Sequence, residues 1–174
     1  IELQSTKDSV FKDIKFYGPW SVGDPVTLGQ TAINAESTAT NVTVENNKFE
    51  DCTWTKWSYP VLANDDAIYN SFINCNFNTN LYGIVFGTGT ILGAPNQLTG
   101  PSFNTITNCT FDEIAREAIL IEVGTHNKSN GNTYLNVGNV NGTEAAGAYS
   151  VIKYTSKHNT STEDYFKRFA LLSY

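Results

Sequence analysis

Asn47-Lys48-Phe49-Glu50-Asp51-Cys52-Thr53-Trp54, Asn70-Ser71-Phe72-Ile73-Asn74-Cys75-Asn76-Phe77 and Asn104-Thr105-Ile106-Thr107-Asn108-Cys109-Thr110-Phe111 superpose without a gap. The shared pattern is Asn, any residue, a large apolar residue, any residue, Asn or Asp, a small apolar residue, any residue and an aromatic. All three cysteines of the chain fall in one column. Strands of a β-sandwich alternate similarly over short windows, but a sandwich gives no reason for three cysteines to share a register. Self-similarity at a period of roughly 20–50 residues instead marks a solenoid, whose repeats bury their apolar faces against each other.

Two looser copies flank these three. Ser9-Val10-Phe11-Lys12-Asp13-Ile14-Lys15-Phe16 precedes them, and Asn132-Thr133-Tyr134-Leu135-Asn136-Val137-Gly138-Asn139 follows without the final aromatic. With Asp13, Asp51, Asn74, Asn108 and Asn136 as the register mark, the intervals are 38, 23, 34 and 28 residues. The shortest approximates a bare coil. The excess predicts lateral loops, the largest over Gly29 to Thr40 and Gly87 to Ser102.

Each copy is followed by a second short apolar segment: Pro25-Val26-Thr27-Leu28, Pro60-Val61-Leu62, Gly83-Ile84-Val85-Phe86, Ala118-Ile119-Leu120-Ile121 and Ser150-Val151-Ile152. Every repeat thus holds at least two short strands and no long helical period. In a strand, Phe72 and Asn74 start on one face, and a one-residue bend at Asn74 then turns Cys75 and Phe77 inward. Asn and Asp suit that bend because they tolerate left-handed backbone angles. The predicted inner ladder is Ile14, Cys52, Cys75, Cys109 and Val137, beside an aromatic ladder of Phe16, Trp54, Phe77 and Phe111. Two outward columns read Lys12, Glu50, Ile73, Thr107, Leu135 and Lys15, Thr53, Asn76, Thr110, Asn139. Each large apolar side chain fully buried in such a stack contributes about 1.5–3 kcal/mol.

The bulk composition agrees with a packed β protein of one domain. Of 174 residues, 40% are hydrophobic and 16% charged, too apolar for a disordered chain. A net charge of −6 with scattered Lys and Arg argues against nucleic acid as a partner, since phosphate binding needs clustered cations. No stretch is long and apolar enough for membrane insertion. With no methionine, Ile1 is no translation start, and the sequence reads as a piece of something longer. At the ends, Ile1-Glu2-Leu3-Gln4 reads as a strand arriving from a preceding coil. Ser161-Thr162-Glu163-Asp164 reads as the start of a short helix, followed by Tyr165, Phe166, Phe169, Leu171 and Leu172. The expected organisation is coils over 1–158 and a cap or docking segment over 159–174.

Candidate chemistry is sparse. No cysteine belongs to a Cys-x-x-Cys pair, and His126 and His158 lie in loop-like surroundings, so buried inert thiols and no metal or cofactor are expected. Hydrolysis of sugars by acid–base catalysis needs two carboxylates roughly 5–10 Å apart, which the aligned columns do not supply. Outside them, Asp65-Asp66 and Asp112-Glu113 are adjacent pairs whose side chains diverge on a strand, while Glu117 and Glu122 flank the fourth second-strand. Asp112, Glu117 and Glu122 are therefore the candidate catalysts, against the plainer reading of solvated turn carboxylates. Tyr17, Trp20, Trp57 and Tyr59 are candidates for stacking on sugar rings or a partner, and equally for lateral packing. Five Asn-x-Ser/Thr sequons, at Asn41, Asn108, Asn127, Asn141 and Asn159, read as chance matches in an Asn/Thr-rich chain.

Through the repeats Asn47–Trp54, Asn70–Phe77 and Asn104–Phe111, roughly residues 1–155 resemble the right-handed parallel β-helix superfamily. That group includes pectate-lyase-like enzymes and bacteriophage tailspike and appendage proteins. The resemblance implies an all-β solenoid of about five coils with long lateral loops; for function it is weaker, because one scaffold hosts many activities. No lyase motif of calcium-binding aspartates and arginine base can be carried over, since Arg116 and Arg168 stand alone. The long loops and Asn/Thr-rich faces look more like a phage virion protein than a secreted lyase. The implied function is a structural or receptor-binding segment, virion-borne or extracellular, trimeric like the phage members, facing neighbouring virion proteins or host polysaccharide. The competing readings are a polysaccharide depolymerase and a bacterial surface adhesin.

Overall fold

A computed structural model describes residues 1–3, 5–21, 24, 31–35, 43–63, 67–87, 100–138, 152–154 and 158–169. The fold is an all-β right-handed parallel β-helix. Three six-stranded sheets run the length of the stack, and every pairing is parallel between strands of successive windings. The first sheet holds Glu2–Leu3, Thr31–Ala35, Tyr59–Ala63, Ile84–Phe86, Ile119–Ile121 and Ile152–Tyr154. The second holds Val10–Lys12, Lys48–Glu50, Ser71–Ile73, Thr105–Thr107, Lys128–Asn130 and Thr160–Thr162. The third holds Lys15–Tyr17, Thr53–Thr55, Asn76–Asn80, Thr110–Ile114, Thr133–Val137 and Tyr165–Phe169. Each winding passes through the three sheets in that order, so the sheets define six windings where the sequence pattern suggested about five.

The corner between the second and third sheets is a single residue with left-handed backbone. Asp13, Asp51, Asn74 and Asn108 occupy it with φ of 53–56°, a conformation that Asn and Asp enter at lower cost than most residues. On either side the side chains point into the lumen. Phe11, Phe49 and Phe72 stack at 4.7 and 5.0 Å. Phe16, Trp54, Phe77, Phe111, Tyr134 and Phe166 form a continuous stack with centroids 4.7–5.2 Å apart. These intervals match the strand spacing of about 4.8 Å, so each ring lies flat on its counterpart one winding away.

The fifth repeat lies five residues earlier than the sequence pattern suggested. Thr110 pairs with Thr133 and Phe111 with Tyr134, which makes the repeat Asn127 to Tyr134, with Gly131 (φ 64°) at the bend. Val137 is buried in a different column, level with Ile114 and Phe169, and is not part of the cysteine ladder. Leu135 and Asn139 likewise leave the two outward columns: Asn130 and Thr162 follow Thr107, and Thr133 and Tyr165 follow Thr110. The pattern was misleading because it demanded a large apolar residue where Ser129 stands and a small apolar residue where Asn132 stands.

That substitution has a physical basis. In the last two windings the lumen changes from apolar to hydrogen-bonded. Ser129 donates to the Asp164 carboxylate at 2.6 Å and lies 2.9 Å from the Tyr134 hydroxyl, while the Asn132 N–H and the Ser161 hydroxyl also reach Asp164, at 2.7 and 2.5 Å. Buried polar groups are tolerated when mutually satisfied in this way.

Two further expectations change. Residues 25–28 lie outside the described residues, and the first-sheet strand at their level is Thr31–Ala35, which the sequence placed in a loop. Its Ala32, Ile33 and Ala35 are nonetheless buried. Small residues suit the lumen there, where Ala35 pairs with Ala63. Ser161-Thr162-Glu163-Asp164 starts no helix. Thr160–Thr162 and Tyr165–Phe169 are strands on either side of a left-handed bend at Glu163 (φ 55°), so the sixth winding runs on to Phe169, and residues 170–174 lie outside the described residues.

Candidate functional site

At the corner between the first and second sheets each winding places one more left-handed residue: Asp8, Asn46, Tyr69, Phe103, His126 and His158, with φ of 53–62°. Immediately after it in windings two to six comes an asparagine turned inward. Asn47, Asn70, Asn104 and Asn127 each receive hydrogen bonds on the side-chain oxygen or pass them on. Asn70 Nδ2 donates to Asn104 Oδ1 (3.2 Å) and to the Val44 carbonyl (2.9 Å), and Asn104 Nδ2 donates to Asn127 Oδ1 (3.0 Å) and to the Ala67 carbonyl (2.9 Å). Asn127 continues the ladder to Asn159 at 3.0 Å. Asn127 and Asn159 are thus committed to the fold and cannot carry the glycans their sequons would invite. Asn108 lies exposed at its bend, and Asn41 and Asn141 fall outside the described residues.

Because the ladder asparagines are held inward, the residues before them are thrown outward. Tyr69, Phe103, His126 and His158 stack edge-out along four windings, with centroids 5.2, 5.0 and 5.1 Å apart and interplanar angles of 21°, 8° and 10°. Tyr69 is 52% and Phe103 44% exposed, and both imidazoles are exposed. Bulky side chains rarely adopt positive φ, at a cost of about 1–2 kcal/mol each. The first two windings meet the same corner with Asp8 and Asn46, which hydrogen-bond to each other at 2.6 Å. The bend therefore does not require rings, and strained, exposed residues of this kind direct attention to a binding role.

The geometry limits what the ridge can do. Both faces of Phe103 and His126, and one face each of Tyr69 and His158, are covered by neighbouring rings, so a ligand along the side of the ridge meets ring edges, which carry the positive end of the aromatic quadrupole. The Thr125 hydroxyl, 3.0 Å from His126 Nδ1, and the outward row Ser71, Thr105, Lys128 and Thr160 border the ridge. Hydroxyl, ammonium and imidazole groups thus line a narrow strip one ring wide.

The residues singled out from the sequence do not form one site. Asp112 lies on the third sheet and accepts a hydrogen bond from Asn136 Nδ2 at 2.8 Å. Glu117 and Glu122 lie at the two ends of Ile119–Ile121 on the first sheet. Glu117 is 4% exposed and 3.9 Å from Arg116, whose guanidinium lies 4.9 Å over the Tyr82 ring. Tyr59, only 1% exposed and stacked on Tyr82 at 5.0 Å, has its phenol pushed up by burial, with Arg116 acting in the opposite sense. Trp20 is also 1% exposed in this cluster, with Leu62, Val85 and Leu120. Neither Trp20 nor Tyr59 presents a ring to a glycan, and Trp57 is half-buried against the core. Tyr17, at 72%, is exposed. Asp65 and Asp66 lie outside the described residues. Among the described residues no group of three or more His, Cys, Asp or Glu is placed to hold a metal.

Sequence reading missed the ridge because Tyr69, Phe103, His126 and His158 lie just outside the eight-residue pattern that aligned the repeats. The signal was positional: Tyr69, Phe103, His126 and His158 each immediately precede a ladder asparagine. A family model described as a right-handed beta helix region matches residues 1–163. No curated protein and no solved structure matches the chain.

Proposed function

Since the chain belongs to the right-handed β-helix family, we propose that it is a rigid display segment whose exposed ridge engages a surface polysaccharide, in the manner of a virion attachment protein. The observation that carries this reading is the ridge Tyr69–Phe103–His126–His158, held on strained corners and left open to solvent. A stack whose rings and amides are locked winding by winding keeps such a strip pre-organised, so little entropy is lost on binding. A location on a phage virion or another extracellular surface, assembly as a trimer and contact with neighbouring virion proteins belong to the same proposal.

The direct test is retention of the protein by immobilised host capsule or lipopolysaccharide, compared with Phe103→Ala. Loss of retention in a variant that melts like the parent supports the reading; equal retention overturns it.

A depolymerase is the second reading, and one observation favours it. Arg116, the nearly buried Glu117, Tyr82 and Tyr59 converge at one corner, and buried carboxylates beside a cation recur at functional sites. Incubation with host polysaccharide decides between the two. Shortened oligosaccharides that disappear with Glu117→Gln or Asp112→Asn would install the enzyme in place of the display segment.

A further inference from the structure

We propose that His126 and His158 form a surface site for a divalent transition-metal ion, the two imidazoles supplying nitrogen ligands and water the remainder, so that the bound ion staples the fifth winding to the sixth. The site uses only the lower end of the ridge and stands apart from the polysaccharide reading above.

The chain has two histidines. They are far apart in sequence, yet the fold sets both at the same corner of successive windings, with ring centroids 5.1 Å apart and planes within 10° of each other. Both are exposed, and both carry left-handed backbone, with φ of 59° and 62°. Asp8 and Asn46 turn the same corner in the first two windings, so the bend does not call for imidazole. Strained residues without a structural need direct attention to function.

The backbone beneath the pair is fixed. Asn159 Oδ1 accepts the Asn127 N–H at 2.9 Å and Asn127 Nδ2 at 3.0 Å, and Asn159 Nδ2 donates to the Gly124 carbonyl at 3.2 Å. One ring is oriented as well. The Thr125 hydroxyl lies 3.0 Å from His126 Nδ1, and Thr125 is itself held through its N–H, which donates to the Ser102 hydroxyl at 2.9 Å. With the Nδ1 proton donated to that hydroxyl, Nε2 carries the lone pair, which is how metal-binding histidines are commonly positioned. His158 closes the stack with one face open, so its ring is free to tilt. Metal–imidazole bonds of about 2.0–2.1 Å require the two nitrogens to come within about 4 Å of each other, a shift of about 1 Å from the ring separation.

The donor set decides the class of ion. Imidazole suits copper, nickel and zinc, whereas calcium and magnesium take oxygen ligands. The net charge of −6 favours cations in general. Lys128, two residues beyond His126, opposes them locally.

The experiment titrates the untagged chain with copper(II), nickel(II) and zinc(II) chlorides, with calcium and magnesium chlorides alongside. The expected result is one transition-metal ion per chain, copper held most tightly, and no saturable binding of calcium or magnesium. The electron paramagnetic resonance spectrum of the copper form should show coupling to two imidazole nitrogens. Zinc should slow hydrogen exchange at Asn127 and Thr160 and leave Asn47 unchanged. His126→Gln and His158→Gln, each melting like the parent in the absence of metal, should each abolish saturable binding. Thr125→Val should weaken it about tenfold, and Lys128→Gln should strengthen it. Absence of saturable binding, binding retained by either histidine variant, or coupling to a single imidazole overturns the inference, and each leaves the polysaccharide reading untouched.

Discussion

The side-chain oxygen of Asn132 accepts the backbone N–H of Cys109 at 2.7 Å, which sets an amide directly over a thiol in the column beside the aromatic stack. The two side chains share a further role. Asn132 Nδ2 donates to the Ile106 carbonyl at 2.9 Å, and Cys109 Sγ donates to the equivalent Phe72 carbonyl at 3.5 Å. Cys75 does the same to Phe49, and Cys52 to Phe11. The cysteines are therefore small buried donors as well as apolar filler, and an amide can replace a thiol there because it satisfies the same carbonyl.

A carboxylate in that column should fail. Cys75→Asp would place an acceptor-only group against the Phe49 and Ile73 carbonyls now contacted by the thiol, without the hydroxyl and N–H donors that surround Asp164. The expected loss is about 3–5 kcal/mol, against about 1–2 kcal/mol for Cys75→Asn. Urea unfolding of both variants checks this; equal midpoints would mean the thiol column carries no donor function.

The asparagine ladder should be the costliest polar element to interrupt. Asn104→Ala removes the acceptor used by the Asn70 backbone and side chain and the donor to the Ala67 carbonyl. With several buried groups left unpaired, about 2–4 kcal/mol should be lost. Hydrogen exchange should show faster opening at Asn70 and Ser102, either side of the substitution. Protection unchanged at both amides would count against the ladder's role.

Gly131 separates backbone conformation from side-chain volume. At φ 64° an added Cβ would approach only the end of the Asn108 side chain, at 2.7 Å. Gly131→Asn should be nearly neutral, since asparagines already occupy this corner in windings three and four. Gly131→Val should cost about 2 kcal/mol, because a β-branched residue is poorly accommodated at positive φ. A melting point for the valine variant at or above that of the asparagine variant would refute this.

Alkaline pH should weaken the fold. Burial pushes the Cys52 thiol up and the Cys109 thiol well up from the ordinary value of 9.0. Burial likewise pushes up the Tyr59 phenol. A group raised in the folded state contributes stability that is complete below its unfolded value and disappears as pH climbs toward the folded one. The urea midpoint should thus hold between pH 7 and 8 and fall above about pH 9. Replacing Cys52 and Cys109 with alanine should flatten that fall, and an unchanged slope would assign it elsewhere.

What could be read in the chain alone came from positions where one residue type satisfies a local demand in winding after winding. Asp13, Asp51, Asn74 and Asn108 tolerate left-handed backbone, Cys52, Cys75 and Cys109 share a column, and Phe16 to Phe111 repeat an aromatic. Those demands act within eight consecutive residues, so sequence exposes them. Asn132 in a cysteine position, Ser129 in a phenylalanine position and a sixth winding through Glu163 could not be found this way. There the identity of a residue depends on what the next winding offers, here the Asp164 carboxylate more than a hundred residues beyond the repeats' first marks. The ridge shows the same division. The asparagine that follows each of Tyr69, Phe103, His126 and His158 marks a shared position, but stacking one strand spacing apart is a relation between windings, and only the folded chain brings the four rings into line.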